Sequence, residues 1–248
     1  MSVDIGRAVE DGGRRTLARN GLAFTAVFWM LGIFNGLLGN AVARNAMNQL
    51  PGGMVPDGGF AGPMMGPALG IPPAIAGLLS ILVGLATTVL GAAAIRTFVT
   101  DERETIPGEH FTRNLVWMVI NLVVGGIVFA LIVGIGFVLL VIPGIFLLVS
   151  LFFWNVYVIV EDQNFIDGFQ NSWALTRGNR LMLFLLGVIV IVIAAIVGAI
   201  FGIPRGLVGG YLGLAIAQIG GAFGTVFTIA TAARTYRQLT PDEPATGA

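Results

Sequence analysis

Cysteine and lysine are both absent from this 248-residue chain, and histidine occurs once, at His110. Without cysteine there is no disulfide, no thiolate nucleophile and no cysteine metal site, and the redox compartment leaves no mark. One histidine cannot form a histidine metal cluster, and no catalytic triad is read around it. Charge is scarce as well. Thirteen arginines and thirteen acidic residues make up 10% of the chain, against about 25% in a soluble domain. Phosphate loop, dinucleotide fingerprint and nucleophile elbow are all missing.

Apolar residues dominate instead. The chain is 56% hydrophobic, with a mean hydropathy of +0.90. Too few charges remain to cover a water-soluble surface, so the expected class is a polytopic membrane protein. Thirty-six glycines fit that class, because Gly is more frequent in membrane helices than in soluble ones. A formal net charge of zero gives no pull toward nucleic acid. The all-arginine basic set and the tail TPDEPATGA fit a GC-rich genome such as a haloarchaeon's.

A span needs about 20 apolar residues to cross roughly 30 Å of hydrocarbon. Six such runs are read: Gly21 to Gly39, Ile71 to Phe98, Leu115 to Ile142, Gly144 to Val160, Leu181 to Ile203 and Leu207 to Arg234. Each should be a helix, since an open sheet would leave backbone groups unsatisfied in lipid. The fold expectation is therefore an all-α, six-helix transmembrane bundle with short cytoplasmic interfacial helices. Residues 1–20 form an N-terminal amphipathic segment. Residues 21–238 form the membrane domain, as hairpins at about 21–98, 115–160 and 181–234. Residues 239–248 form a tail.

Arginine placement sets the orientation. Six spans put both termini on one side, with Arg7, Arg14, Arg15, Arg19, Arg96, Arg103, Arg113, Arg177, Arg180, Arg234 and Arg237. Only Arg44 and Arg205 lie on the other side. The bias places both termini in the cytoplasm of a cell-membrane protein. Ala41-Val42-Ala43 has the form of a signal-peptidase site, but the run ahead of it exceeds the usual 7–15-residue signal core and reads as a span.

Pro143-Gly144 divides one 46-residue apolar run and reads as a tight hairpin turn, with a re-entrant break as the alternative. Ile203-Pro204-Arg205-Gly206 reads as the turn between the last two spans. Asn sits beside Arg at three span entries: Arg19-Asn20, Arg113-Asn114 and Asn179-Arg180. Asn tolerates turn conformations, and Arg snorkels to headgroups. In the N-terminal segment, Ile5, Val9 and Leu17 share one face, away from Arg7, Arg14 and Arg15, which suits a helix on an anionic leaflet.

Between two apolar runs lies EDQNFIDGFQNSWALTRGNR, Glu161 to Arg180. Asn164 can cap a helix whose third residue is Asp167. Phe165, Ile166, Phe169 and Trp173 then share one apolar face, Gly178 ends the helix, and Trp173 sits at headgroup depth. Glu161 and Asp162 could bind a cation or act as acid and base; the preferred reading pairs Glu161 with Arg177 or Arg180.

Pro143, Gly144, Glu161, Ser172, Trp173, Leu175, Thr176, Gly178 and Asn179 form an ordered set over Val141 to about Leu186. That set resembles the membrane domain attached to some glycerophosphodiester phosphodiesterases, and related polytopic proteins of bacteria and haloarchaea. The resemblance implies a fold and membrane residence. The catalytic phosphodiesterase domain of such proteins is missing here, and Gly168-Phe169-Gln170-Asn171 stands where they carry Ala-Leu and basic residues.

No ionisable residue falls in the middle of a span, which disfavours proton-coupled transport. Asn35, Ser80, Thr87, Thr88, Asn121, Ser150, Asn155, Gln218, Thr225, Thr228 and Thr231 are the polar span residues. They are read as interhelical hydrogen-bonding groups, with a polar path as the alternative. Gly32/Gly36, Gly198/Gly202, Gly209/Gly213 and Gly220/Gly224 offer close helix approach. Met54, Met64 and Met65 lie in a Gly/Pro loop without His or Cys, so a Cu(I) site is not read there.

The expectation is an integral membrane protein without a catalytic site or cofactor. It would organise membrane lipids or a protein partner at the cytoplasmic face, without nucleic acid and with no oligomeric state legible. The alternative is a passive transporter or channel for a neutral or lipid-like solute.

Overall fold

The computed structural model describes residues 3–49, 66–102 and 105–240. Met54, Met64 and Met65, Arg103, and the tail beyond Thr240 lie outside the described residues. Ten helices are described, and no strand occurs among the described residues. They are α1 (Ile5–Leu17), α2 (Arg19–Asn48), α3 (Pro73–Thr100), α4 (Glu109–Thr112), α5 (Leu115–Leu139), α6 (Val141–Ser150), α7 (Trp154–Val160), α8 (Phe165–Thr176), α9 (Arg180–Val208) and α10 (Gly210–Leu239).

Six helical segments are long and apolar enough to cross a membrane: Arg19–Met47, Pro73–Thr100, Leu115–Leu139, Val141–Val160, Arg180–Val208 and Gly210–Leu239. They are the six expected spans, and the chain is a multi-pass membrane protein. Large apolar side chains stand exposed along them, among them Val138, Ile142, Ile191 and Leu207. A soluble monomer rarely leaves more than a few hundred Å² of contiguous apolar surface open.

Two compact units are present. The larger comprises residues 1–22, 89–192 and 226–248. Phe98, Phe153, Val158 and Met118 are fully buried in it. The α5–α6 turn lies elsewhere than at Pro143-Gly144. Leu140 alone is extended, at φ −161° and ψ 151°, and Pro143 occupies the first turn of α6. The ring is tolerated there because first-turn N–H groups need no intrahelical acceptor. Gly144 serves close approach instead: a Cβ on it would come within 2.5 Å of the Phe137 ring. Gly136 faces Gly144 in the same way, so α5 and α6 close on each other at once.

The three Asn-Arg entries have different backbones. Asn114 takes a positive φ of 47°. Asn20 is helical, and its amide donates to the carbonyls of Glu102 and Thr105 at 3.3 and 3.2 Å. Asn179 follows Gly178, which takes φ 88°, and its carbonyl accepts the first bond of α9, from Leu183. Asn114 and Asn179 both lie in turns, as read, whereas Asn20 lies within α2.

The smaller unit comprises residues 23–88 and 193–225. Gly32 and Gly36 of α2 form a notch for Gln218 and Leu214 of α10. Trp29 donates its indole N–H to the Ala215 carbonyl at 2.7 Å. Gly220 meets Val197 and Gly198 of α9, and Gly224 meets Ala194. These are the close approaches expected of small residues at i and i+4. Gly202 has open space around its would-be Cβ. Pro204 lies inside α9 rather than in a turn. The reversal is made by Gly209 and Gly210, both at positive φ, 64° and 55°. Two residues without Cβ suit that backbone. Arg44 donates to the Gly66 carbonyl at 2.9 Å, and Asn40 to the Pro67 carbonyl at 2.8 Å.

Candidate functional site

Arginines of the larger unit divide between two aspartates just beyond helix ends, with Arg15, Arg234 and Arg237 at Asp101 and Arg96 and Arg113 at Asp162. Asp101 follows α3 and takes φ 68°. Asp tolerates that left-handed backbone better than most residues. Its carboxylate is engaged by Arg15 of α1, by Arg234 of α10 at 2.9 Å, and more loosely by Arg237 at 3.9 Å. Arg234 also reaches Asp11 at 3.3 Å. The α1 contact is close because Gly12 lies on Thr231, whose Cα would be 3.1 Å from a Cβ at Gly12. Ala8, Gly12, Arg15 and Thr16 therefore form the buried face of α1, while Leu17 is 63% exposed. This overturns the expected face of α1: Arg15 turns inward to Asp101.

Asp162, beyond α7, takes φ 53°. It pairs with Arg113 at 2.5 Å and with Arg96 at 3.6 Å. Arg96 is buried and is otherwise satisfied by backbone. It donates to the carbonyls of Ile159, His110 and Arg113 at 2.9, 3.0 and 3.2 Å. One guanidinium thus ties the end of α3 to α4, to the entry of α5 and to the end of α7. A planar fork with five donors suits that task, and an ammonium would not.

His110 is buried beside this arginine. Its Nδ1 lies 3.1 Å from the Thr97 hydroxyl. That hydroxyl donates to the Ala93 carbonyl at 2.8 Å, so its remaining role is to accept, and Nδ1 carries the proton. Nε2 then faces Glu102 at 4.0 Å, whose other carboxylate oxygen is buried and has no hydrogen-bond partner. Burial holds the His110 pKa below its ordinary value; Glu102 opposes that shift, and Arg96 adds to it.

The fourth span is broken between α6 and α7, at residues 151–153. Breaking a helix in an apolar setting frees backbone groups, and neighbouring Ser and Thr side chains can satisfy them. The Ser172 hydroxyl donates to the Ser150 carbonyl at 3.1 Å and accepts the Phe153 amide at 3.0 Å. The Thr176 hydroxyl donates to the same carbonyl at 3.2 Å. Gly168 lets α8 approach, since a Cβ there would lie 2.9 Å from the Trp154 carbonyl. Gly168, Ser172 and Thr176 are thus the buried face of α8.

The N-cap of α8 is as expected: Asn164 Oδ1 accepts from the amides of Ile166 and Asp167, both at 3.0 Å. Its Phe165 amide is taken by Asn121 Oδ1 of α5 at 3.0 Å. The expected apolar face divides. Phe165 and Phe169 pack together, and Phe169 packs on Trp154, whereas Ile166 and Trp173 stay exposed, at 53% and 40%. The Glu161 pairing with Arg177 or Arg180 is not formed. Glu161 accepts from the Tyr236 hydroxyl at 3.3 Å, Arg177 is exposed, and Arg180 lies against aromatic rings. Leu175 is half-buried.

The arrangement therefore brings Glu161, Ser172 and Thr176 into structural contacts and leaves Trp173 at the surface. Asp101, Arg15 and Thr97 carry contacts that sequence reasoning assigned to no site, while Asn121 makes the interhelical bond read for it. The available signal for Asp101 was an acid directly after a span end, opposite an excess of arginine. Among the described residues no group of three or more His, Cys, Asp or Glu could hold a metal ion. The span threonines mostly turn on their own helices rather than across them: Thr87, Thr88 and Thr225 each donate to the carbonyl four residues back.

No curated protein and no solved structure matches the chain. A family model described as "Domain of unknown function (DUF7847)" matches residues 3–239. With nearly its whole length covered, and with the arginine–aspartate contacts and the clamped helix break inside the matched region, the chain belongs to the DUF7847 family.

Proposed function

We propose that this protein is a non-catalytic membrane organiser that gathers anionic lipids or a partner protein at its arginine-rich face. The face lies in the cytoplasm with both termini, in a cell membrane. The orientation rests on arginine distribution. One observation carries the functional reading. Among the described residues, arginines beside exposed apolar side chains remain without a carboxylate partner, while the buried Arg15 and Arg96 and the half-buried Arg234 each contact an aspartate. Arg19 is exposed between Leu17 and Leu22, which are 63% and 50% exposed. Arg177 is exposed one helical turn after the exposed Trp173. Free arginine interleaved with exposed apolar and aromatic groups is interfacial chemistry, and each cation near an anionic leaflet contributes about 1 kcal/mol. No catalytic role is assigned, because Asp101 and Asp162 are both engaged by arginines.

Reconstitution into phosphatidylcholine nanodiscs with increasing phosphatidylglycerol tests the reading. Thermal stability is expected to rise with the anionic fraction, and salt is expected to weaken the rise. A melting temperature independent of phosphatidylglycerol, together with no protein partner recovered, would contradict it.

A further inference from the structure

We infer that Arg180 is a binding residue for the phosphate of an anionic glycerophospholipid. The inference rests on the lipid reading above and names its ligand chemistry.

The Arg180 guanidinium carbon lies 4.5 Å from the centroid of the Phe146 ring and 4.5 Å from that of Trp173. The two rings meet edge to face, with centroids 5.4 Å apart at 80°. They form a corner that holds the guanidinium, and cation–π attraction favours that placement. Nε and Nη2 are buried there and have no hydrogen-bond partner. No carboxylate pairs with this side chain among the described residues. Nη1 is not among these buried, unpartnered nitrogens, and it is where an acceptor would meet the guanidinium.

The cation is held by rings rather than by an anion. The carboxylates of the same segment are committed elsewhere: Asp162 to Arg113 and Arg96, Asp167 to Asn164, and Glu161 to Tyr236. Arg177, three residues earlier, is exposed and adds a second uncompensated charge. Residues 177–180 thus carry two positive charges and no counter-charge. A phosphate oxygen accepts well from a guanidinium, and the charged bond is about twice as strong as a neutral one. A lipid is favoured over free phosphate because the rings that hold the guanidinium are themselves open: Phe146 and Trp173 are 41% and 40% exposed, an apolar surface for an acyl chain in contact with the cation.

Native mass spectrometry of the full chain, titrated with phosphatidylglycerol or phosphatidylcholine, tests this. Wild type is expected to retain one phosphatidylglycerol at least tenfold more tightly than phosphatidylcholine. Arg180→Gln should lose that preference, and Trp173→Leu, which keeps the charge but removes one wall, should weaken it severalfold. Inorganic phosphate in a phosphatidylcholine background should not compete. Equal phosphatidylglycerol retention by wild type and Arg180→Gln overturns the inference while leaving the wider lipid reading intact. Absence of retention in wild type removes both. Competition by millimolar inorganic phosphate would make this a soluble-phosphate site and overturn the lipid assignment. Should Arg180→Gln fail to fold, Trp173→Leu decides: unchanged preference counts against the inference.

Discussion

Ser172 replaces the backbone at the break in the fourth span. Its hydroxyl accepts the Phe153 amide and donates to the Ser150 carbonyl, two groups that an unbroken helix would have satisfied within itself. Ser172→Ala leaves a buried amide without an acceptor, at a cost of about 1–3 kcal/mol. Thermal unfolding in detergent should show a clear drop. Ser172→Thr, which keeps the hydroxyl, should retain more stability if the extra methyl is accommodated. Equal stability of Ser172→Ala and wild type would show that the clamp is not needed.

Asp162 is the anion for two arginines, one of them buried. Asp162→Asn keeps a side chain that tolerates the positive φ of this position, so it isolates the charge. Arg96 would remain buried with three carbonyl acceptors but no counter-ion. Removing one partner of a buried pair typically costs 3–5 kcal/mol. The three carbonyls place the expected loss here near the lower end, about 3 kcal/mol. The melting temperature of the variant against wild type measures it.

His110 predicts a pH dependence. Its pKa is held below the ordinary 6.5, first by burial. The unfolded chain therefore binds the proton at higher pH than the folded one. The stability associated with neutral His110 is present above about pH 6.5 and is lost as pH falls through the folded value. Wild type should melt at a lower temperature at pH 5.5 than at pH 7.5, and His110→Gln should show a smaller difference. Identical pH profiles for the two proteins would remove His110 from the account.

Gly21 permits the turn from α1 into α2. A Cβ there would press on the Arg15 carbonyl and come within 2.5 Å of the Thr16 carbonyl. Gly21→Ala should destabilise by about 1–3 kcal/mol, the range for an overpacked site. Gly13→Ala, where nothing lies within 4 Å of the would-be Cβ, is the control and should be neutral or slightly stabilising, since Ala favours helix. Similar melting temperatures for the two variants would contradict the packing argument.

The six spans were legible because length and apolarity alone specify a membrane helix, so Leu115–Leu139 and Arg180–Val208 could be read within a few residues. Turn positions were less legible. Pro143 and Pro204 are strong breakers in water, yet one fits a first helical turn and the other stays inside α9. The reversals fall at Leu140 and at Gly209-Gly210, and nothing in the local pattern marks Leu140. The face of α8 was misjudged for a related reason. Aromatic residues carry the periodic signal, but Gly168, Ser172 and Thr176 are small enough to reach a neighbouring backbone. Glu161 was matched to the nearest arginines in sequence, whereas its contact, Tyr236, lies 75 residues away.

The central claim is that the arginine-rich face gathers anionic lipid. Its most direct measurement is the lipid retained after mild detergent extraction, quantified by mass spectrometry against the composition of the source membrane. The account predicts enrichment of anionic phospholipid on wild type, reduced by combined substitution of Arg19, Arg177 and Arg180 with Gln. A retained pool matching the bulk membrane, unchanged in that triple variant, would contradict it.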